Sequence, residues 1–276
     1  MKKRIWGFAA TAALAAMLAV PASAHRQWMM PSSTVLSGDD VWVTVDAAVS
    51  NDLFYFEHQP LRLDAMKAWA PDGSEAAIEN GSTGRYRSTF DVHLTQKGTW
   101  RIASVVDGVM GSYELNGKTE RLPRGTTTAN VAERIPAGAT NVKTAESNNR
   151  NEIFVTVGEP TTTLFKPTGK GIELVPVTHP NDLIAGETAT FQFLLDGKPA
   201  AGLPVTVIAG GIRYRDQLGQ MDLKTGADGK VEINWTEPGM YWLNVTTPQA
   251  ERAEGAPEPA PQRRASYVTT LEVLAP

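Results

Sequence analysis

The sequence predicts an all-β protein with two tandem antiparallel β-sandwich domains of the immunoglobulin-like or transthyretin-like kind. Three observations carry this prediction. Apolar and polar residues alternate with a period of two in many short segments, turn dipeptides such as Asp-Gly separate these segments, and no stretch has a convincing amphipathic helical pattern.

The first 24 residues are typical of a cleaved secretory signal. Lys2, Lys3 and Arg4 precede an apolar run over residues 5–20, and residues 22–24 form an A-x-A cleavage site. The apolar run is too short for a comfortable membrane span, which needs about 20 residues. We therefore expect a periplasmic protein that is not embedded in a membrane.

Loss of the signal removes three positive charges and takes the formal net charge from −4 to −7. An acidic chain without a basic patch is a poor candidate for nucleic-acid binding. The sequence contains no cysteine, which excludes disulfides and thiolate metal sites together.

Residues 25–157 are predicted to form the N-terminal sandwich. Strands are expected at 41–45, 86–94, 98–106, 109–115 and 152–157, with turns at 71–73 and at Asp107-Gly108. Residues 118–150 are polar and rich in turn residues, so we expect a long loop with one weak helical segment at 128–134.

Residues 158–170 are the predicted linker, and residues 171–276 the C-terminal sandwich. Its strands are expected at 172–176, 188–195, 204–208, 231–235, 241–245 and 267–273, with a hairpin turn at Asp196-Gly197. The segment 248–264, rich in Pro, Ala, Glu and Arg, is expected to be a mobile loop.

Cleavage after Ala24 would make His25 the first residue of the mature chain. An amino-terminal histidine offers a metal ion two nitrogens, the α-amine and ring Nδ1. With no cysteine, imidazole must dominate any nickel, copper or zinc site. The candidate metal ligands are therefore His25, His58 and His93, with either His58 or His93 completing the equatorial plane of Ni(II) or Cu(II).

Two carboxylates are candidates for supporting roles near these ligands. Asp91 shares a strand face with His93 and is expected to orient its ring. Glu57 is adjacent to His58 but points away from it if the strand continues. His179, which precedes a proline, is expected to be structural.

Three segments of the sequence carry a resemblance. Two lie in the second half, GIELVPVTHPNDLIAGETATFQFLLDGKPAAGLPVTV and GADGKVEINWTEPGMYWLNV, and the third is the start of the mature chain, HRQWMMPSSTVLSGDDVWVTV. Together they resemble the sequences of a bacterial periplasmic family. That family is a domain of unknown function, related to accessory components of nickel-uptake transporters. The resemblance implies a β-sandwich and transition-metal handling. The segment NDLFYFEHQPLRLD, with its own Glu57-His58 pair, departs from the simplest pattern of the family and leaves the metal open.

These observations favour a periplasmic binding protein for Ni(II) or Cu(II), which acts as a carrier or accessory for a membrane metal transporter or an outer-membrane receptor. No catalytic motif is present, and we predict no enzymatic activity. Two alternatives stay open: a metal-free periplasmic scaffold, and an oxidative copper enzyme with a terminal histidine, which resembles polysaccharide-cleaving enzymes.

Overall fold

The computed structural model describes residues 25–248 and 262–276, and these residues form an almost entirely β-stranded protein. The all-β class predicted from the sequence is confirmed. The predicted signal segment 1–24 and most of the predicted loop 248–264 lie outside the described residues.

The first eleven strands belong to the N-terminal half. They are β1 (Arg26–Pro31), β2 (Val35–Leu36), β3 (Val41–Ser50), β4 (Gln59–Pro60), β5 (Met66–Trp69), β6 (Glu75–Ala76), β7 (Glu79–Thr83), β8 (Ser88–Leu94), β9 (Gly98–Leu115), β10 (Lys118–Arg121) and β11 (Thr140–Val157). One short helix, α1 (Val131–Arg134), lies between β10 and β11.

Eight strands follow in the C-terminal half. They are β12 (Ile172–Pro176), β13 (Thr188–Leu195), β14 (Lys198–Pro199), β15 (Pro204–Ala209), β16 (Met221–Lys224), β17 (Lys230–Asn234), β18 (Gly239–Thr246) and β19 (Arg264–Val273). Single 3-10 turns occur at Leu63–Ala65, Thr163–Phe165 and Ile212–Tyr214.

The strands form three sheets. The N-terminal sheet has the order β1-β3-β8-β7, with β4 paired to β3, and the C-terminal sheet has the order β12-β13-β14, with β17 paired to β13. The central sheet has ten strands and runs through both halves in the order β16-β15-β18-β19-β11-β9-β5-β6, with β2 on β11 and β10 on β9. The halves therefore share one continuous sheet.

The junction of the halves is a parallel pairing of β11 with β19, in the register Ser147↔Arg264 to Glu152↔Thr269. The pairing of β2 with β11 is also parallel. Every other pairing of named strands in the described part of the chain is antiparallel. The predicted boundary at residues 158–170 stays a prediction.

Alternate residues of β11 serve two different cores, because successive side chains of a strand point to opposite faces. Ile153 and Val155 belong to the N-terminal core, which also contains the alternating valines of β3. Phe154 belongs to the C-terminal core, together with Phe191 and Tyr267. The N-terminal and C-terminal sheets therefore cover opposite faces of the central sheet.

A third apolar cluster fills the space between β1 and the face of β15, β18 and β19 that points away from the C-terminal core. Its buried members, which we call the joint cluster, are Trp28, Ala48, Leu53, Ile208, Trp242 and Val268. Half-buried aromatic and aliphatic side chains pack around it: Met30, Phe54, Phe56, Ile212 and Leu218. Because the cluster joins residues of both halves, it fixes the first strand against the second half.

Most predicted strands are present, but the region after residue 98 differs from the prediction. The expected turn at Asp107-Gly108 is wrong, because β9 continues without a break from Gly98 to Leu115. The expected loop 118–150 contains β10, α1 and the first half of β11. The expected weak helical segment is confirmed at α1.

Candidate functional site

The rings of His25 and His58 lie against each other. Their centroids are 3.7 Å apart, and the ring planes differ by 5°. Both residues are exposed. The structure therefore brings together two of the three predicted metal ligands, although 33 positions separate them in the sequence.

Strand register accounts for the position of His25. The antiparallel pairing of β1 with β3 places Arg26 opposite Ser50, at the last residue of β3. His25 therefore lies beside the segment that leaves β3, which is the segment that carries His58. The buried Trp28 donates its indole N–H to Ser50 Oγ at 2.8 Å and secures this register.

The segment 51–58 returns to β1 because its apolar side chains pack in the joint cluster. Leu53 is fully buried there. The rings of Phe54 and Phe56 pack against Trp28, with centroids 5.5 and 5.6 Å from it. The aromatic run before His58 is therefore an anchor that holds this loop on the first strand.

Polar contacts close the same loop. Glu57 Oε1 accepts hydrogen bonds from the backbone N–H groups of Asn51 and Asp52, at 2.8 and 2.9 Å. The guanidinium of Arg26 donates to the Asn51 carbonyl at 2.9 Å. The Glu57 carboxylate thus braces the loop that carries His58, and its other oxygen, Oε2, forms an ion pair with Arg213 Nη2 at 4.0 Å rather than a contact with an imidazole.

The structure does not bring His93 to this place. Its ring stacks on Trp42, with centroids 4.3 Å apart, and its Nε2 lies 2.8 Å from Asp40 Oδ1. Trp42 and Ser50 are eight residues apart on β3, which corresponds to about 26 Å at roughly 3.3 Å per residue. Of the two residues considered as the partner of His25, only His58 lies near it.

Asp91 has partners other than His93. It accepts hydrogen bonds from Thr44 Oγ1 at 2.7 Å and from Asn80 Nδ2 at 2.8 Å, and these two bonds hold the pKa of its carboxyl below the usual value. The carboxylate beside His93 is therefore Asp40 and not Asp91. Its position in the loop before β3 gives no signal from which this contact could be found.

His179 lies in a structural network. Its Nδ1 accepts the backbone N–H of Asn181 at 3.1 Å, and its Nε2 is 3.0 Å from Thr99 Oγ1 and 3.3 Å from the Thr161 carbonyl. Burial lowers the pKa of this imidazole.

Within residues 25–248 and 262–276, no three His, Cys, Asp or Glu side chains form a group that could hold a metal ion. The His25–His58 pair supplies two imidazoles, and a free α-amine on His25 would be a third nitrogen donor. Such nitrogen donors are preferred by Cu(II) and Ni(II), so the residues present fit these ions. The lone pairs of imidazole nitrogens lie in the plane of the ring, and the two rings are stacked in parallel planes. One ring must therefore rotate before both imidazoles can coordinate the same ion.

A cleft is lined by His25 but not by His58. It has a volume of about 470 Å³ and lies between the start of β1 and the face of β15, β18 and β19 that points away from the C-terminal core. Its lining residues are His25, Arg26, Gln27, Val49, Thr206, Gln220, Trp242, Asn244, Ser266 and Val268. Sequence reasoning missed the cleft, because Thr206, Asn244 and Ser266 alternate with core residues as any solvated strand face does.

None of the helices in the described ranges is both long enough and apolar enough to cross a membrane. No curated protein matches the chain.

Several solved structures are similar at low identity. The D0-D1 domain of intimin is 12% identical, with 89% of this chain and 97% of that chain covered, at a TM-score of 0.22. A segment of two fibronectin type III domains from chicken tenascin is 10% identical, with 91% and 100% covered, at a TM-score of 0.22. A DUF4785 family protein of Legionella pneumophila is 8% identical, with 79% and 50% covered, at a TM-score of 0.24.

A family model matches residues 22–249, which is most of the chain, and its description is a domain of unknown function that names no enzymatic activity. The chain belongs to this family, DUF4198.

Proposed function

We propose that the protein, once cleaved after Ala24, binds Cu(II) or Ni(II) through the α-amine and Nδ1 of His25 and the imidazole of His58. It would serve in the periplasm as a carrier or accessory protein for metal uptake by a membrane transporter or an outer-membrane receptor. The observation that carries this proposal is the direct contact of the two rings.

The surroundings of the pair support a site with a fixed position and adjustable rings. The joint cluster and the Glu57 contacts hold the backbone of both residues, while both imidazoles are exposed. Rotation of an exposed ring away from the stacked arrangement loses little buried area. The protein therefore provides two nearby donors without a large conformational change.

Three nitrogens from two residues leave part of the coordination sphere open. A tetragonal Cu(II) or Ni(II) ion has four equatorial positions, and the fourth would be filled by water or by a small molecule. An open position suits a carrier, because a receiving protein can begin to coordinate the ion before the first protein releases it.

The test is calorimetric titration of Cu(II) and Ni(II) into the mature protein and into three variants. One variant carries an additional alanine before His25, and the others are His58→Ala and the matched control His93→Ala. Loss of one nitrogen donor, at roughly 3 kcal/mol, weakens affinity about 100-fold. We expect this loss for the first two variants and unchanged affinity for His93→Ala.

Equal affinity of the extended and the mature protein would contradict the terminal chelate. Equal affinity of His58→Ala and the mature protein would contradict the pairing. If neither metal binds the mature protein at all, the metal-free scaffold becomes the better hypothesis.

The pH dependence provides a second measurement. Metal binding must displace protons from the amine and the imidazole nitrogens, because only their unprotonated forms coordinate a metal ion. We therefore expect affinity to fall steeply below about pH 6. Affinity that does not change between pH 7 and pH 5 would argue against nitrogen ligation.

A further inference from the structure

The cleft beside His25 has the dimensions of a small-molecule site. Its volume of about 470 Å³ lies within the range of about 300–1,000 Å³ that is usual for ligand pockets. Trp242, Val49 and Val268 supply apolar surface to its lining, and both Trp242 and Val268 are buried. The cleft therefore combines an apolar floor with polar walls.

The charge of the lining is unlike that of the whole protein. The chain has a formal net charge of −4, yet the described residues that line the cleft include no Asp or Glu, and Arg26 is the permanent cation among them. The Arg26 guanidinium lies 5.8 Å from the centroid of the Trp242 ring and is partly buried. A partly buried arginine interacts with an anion more strongly than a fully solvated one does.

Arg26 retains donors for a ligand. Among the described residues its one hydrogen bond is from Nη1 to the Asn51 carbonyl, and Asp52 acts on it only through a longer-range attraction. A guanidinium has five N–H donors in a planar fork that matches a carboxylate. The remaining N–H groups make no hydrogen bond to another residue in the described part of the chain.

Neutral donors face the same space. The side-chain amides of Gln27 and Asn244 line the cleft, and among the described residues neither has a side-chain hydrogen bond. Thr206 and Ser266 add hydroxyl groups next to them. Thr206 Oγ1 donates to Asp222 Oδ1 at 3.4 Å and Ser266 Oγ donates to Asn149 Oδ1 at 2.8 Å, so these hydroxyl oxygens are left as acceptors. Unpaired amides and hydroxyl acceptors beside an arginine match a ligand that carries polar groups as well as a carboxylate.

We propose that the cleft formed by Arg26, Gln27, Thr206, Trp242, Asn244 and Ser266 binds a small organic molecule with carboxylate and hydroxyl or amino groups. Arg26 pairs with the carboxylate, and Asn244 and its neighbours bond the other polar groups. The ligand would lie at the boundary between the first strand and the second half of the protein.

The test uses citrate as the probe and metal-free protein, so that its outcome does not depend on metal binding at His25. Calorimetry and the NMR signal of the Trp242 indole N–H report binding. We expect a Kd of about 1 mM or tighter, as for other small ligands. Arg26→Gln should weaken binding about tenfold or more, and Asn244→Ala about threefold.

Arg85→Gln is the matched control, because Arg85 is exposed and does not line the cleft. It should leave citrate affinity unchanged. Asn244→Ala removes no hydrogen bond within the described residues, so it tests the cleft even if Arg26→Gln disturbs the loop beside it.

Three results would overturn the proposal. The first is the absence of citrate binding up to about 20 mM, a concentration well above the expected Kd. The second is unchanged affinity in both Arg26→Gln and Asn244→Ala. The third is equal affinity for sulfate, which would indicate unspecific attraction of anions rather than recognition of a carboxylate.

Discussion

Replacement of Leu53 by alanine tests whether the joint cluster places His58 beside His25. Leu53 is fully buried in that cluster, and it lies in the loop that carries His58. Truncation removes three carbon atoms from the contact between this loop and the central sheet. We therefore expect two effects, a loss of stability and a loss of metal affinity.

The magnitude of the stability effect follows from burial. Transfer of three carbons to water costs about 2.4 kcal/mol at roughly 0.8 kcal/mol each. A cavity of about 80 Å³ that does not collapse would add about 2 kcal/mol at roughly 24 cal/mol per Å³. Because a loop can partly close over the space, we expect the free energy of unfolding to fall by about 2.5–4 kcal/mol.

Urea-induced unfolding of the mature protein, followed by circular dichroism, measures this change. Leu274→Ala is the matched control, since Leu274 is 39% exposed and the same three carbons are removed. We expect a loss below about 1 kcal/mol for the control, as is usual for surface substitutions. At a temperature where Leu53→Ala is folded, Cu(II) affinity should fall about tenfold, because the loop no longer holds the two imidazoles together.

A loss below about 1 kcal/mol in Leu53→Ala would refute the assigned packing. If stability falls as expected but Cu(II) affinity equals that of the mature protein, the cluster does not organise the metal site. The two readouts therefore separate the structural part of the reasoning from the functional part.

Three further predictions concern other parts of the structure. Glu57→Ala should reduce the free energy of unfolding by about 1 kcal/mol, because two backbone N–H groups lose their acceptor, and Glu57→Gln should recover part of it; identical urea midpoints for both variants would contradict this role. Gly111→Ala places a Cβ 2.1 Å from the Lys143 carbonyl oxygen, so backbone amide hydrogen exchange should accelerate along the outer part of β9 and β11. Gly84→Ala is the control, because its Cβ would have its nearest atom at 3.5 Å, and it should leave this exchange unchanged. Because the pKa of His179 is lowered in the folded protein, the unfolded chain binds a proton at this residue more readily. The free energy of unfolding should therefore fall as the pH drops through the ordinary imidazole range near 6.5 and below, and His179→Gln should flatten this dependence. An equally steep profile in the variant would show that another group is responsible.

The C-terminal half was largely predictable from its sequence. The predicted strands 172–176 and 188–195 coincide with β12 and β13, and the predicted turn at Asp196-Gly197 is confirmed by positive φ values of 53° and 76°. In this half each strand buries one face, so the alternation of residues is strong, and turn residues mark the ends of the strands.

The extension of β9 and β11 could not be predicted in the same way. Beyond residue 104, β9 buries only Tyr113, and the segment 140–147 of β11 is half-buried or exposed, so no face imposes a period. Asp107-Gly108 was interpreted as a turn, but Asp107 accepts a hydrogen bond from Asn148 Nδ2 across the ladder at 2.7 Å. The side chain of Asp107 thus stabilises a strand pairing rather than a reversal of the chain.

The candidate site was predictable in its residue types but not in its assembly. A histidine at the predicted cleavage site and the lack of cysteine pointed to His25 and to imidazole ligands. The choice between His58 and His93 depends on which end of β3 faces residue 25, and this is set by the pairing of Arg26 with Ser50. This register depends on the packing of Trp28 against residues of both halves of the chain. Local sequence patterns carry no information about such long-range contacts.

The parallel pairing of β11 with β19 has a consequence for how the chain acquires its structure. Arg150 lies opposite Tyr267, 117 positions later, so the middle of the central sheet is completed only when nearly the whole polypeptide is available. Loop closure over such a separation is entropically costly, and a topology dominated by remote contacts folds slowly. The β11 edge of the N-terminal half therefore stays unpaired during synthesis until the residues of β19 have been added.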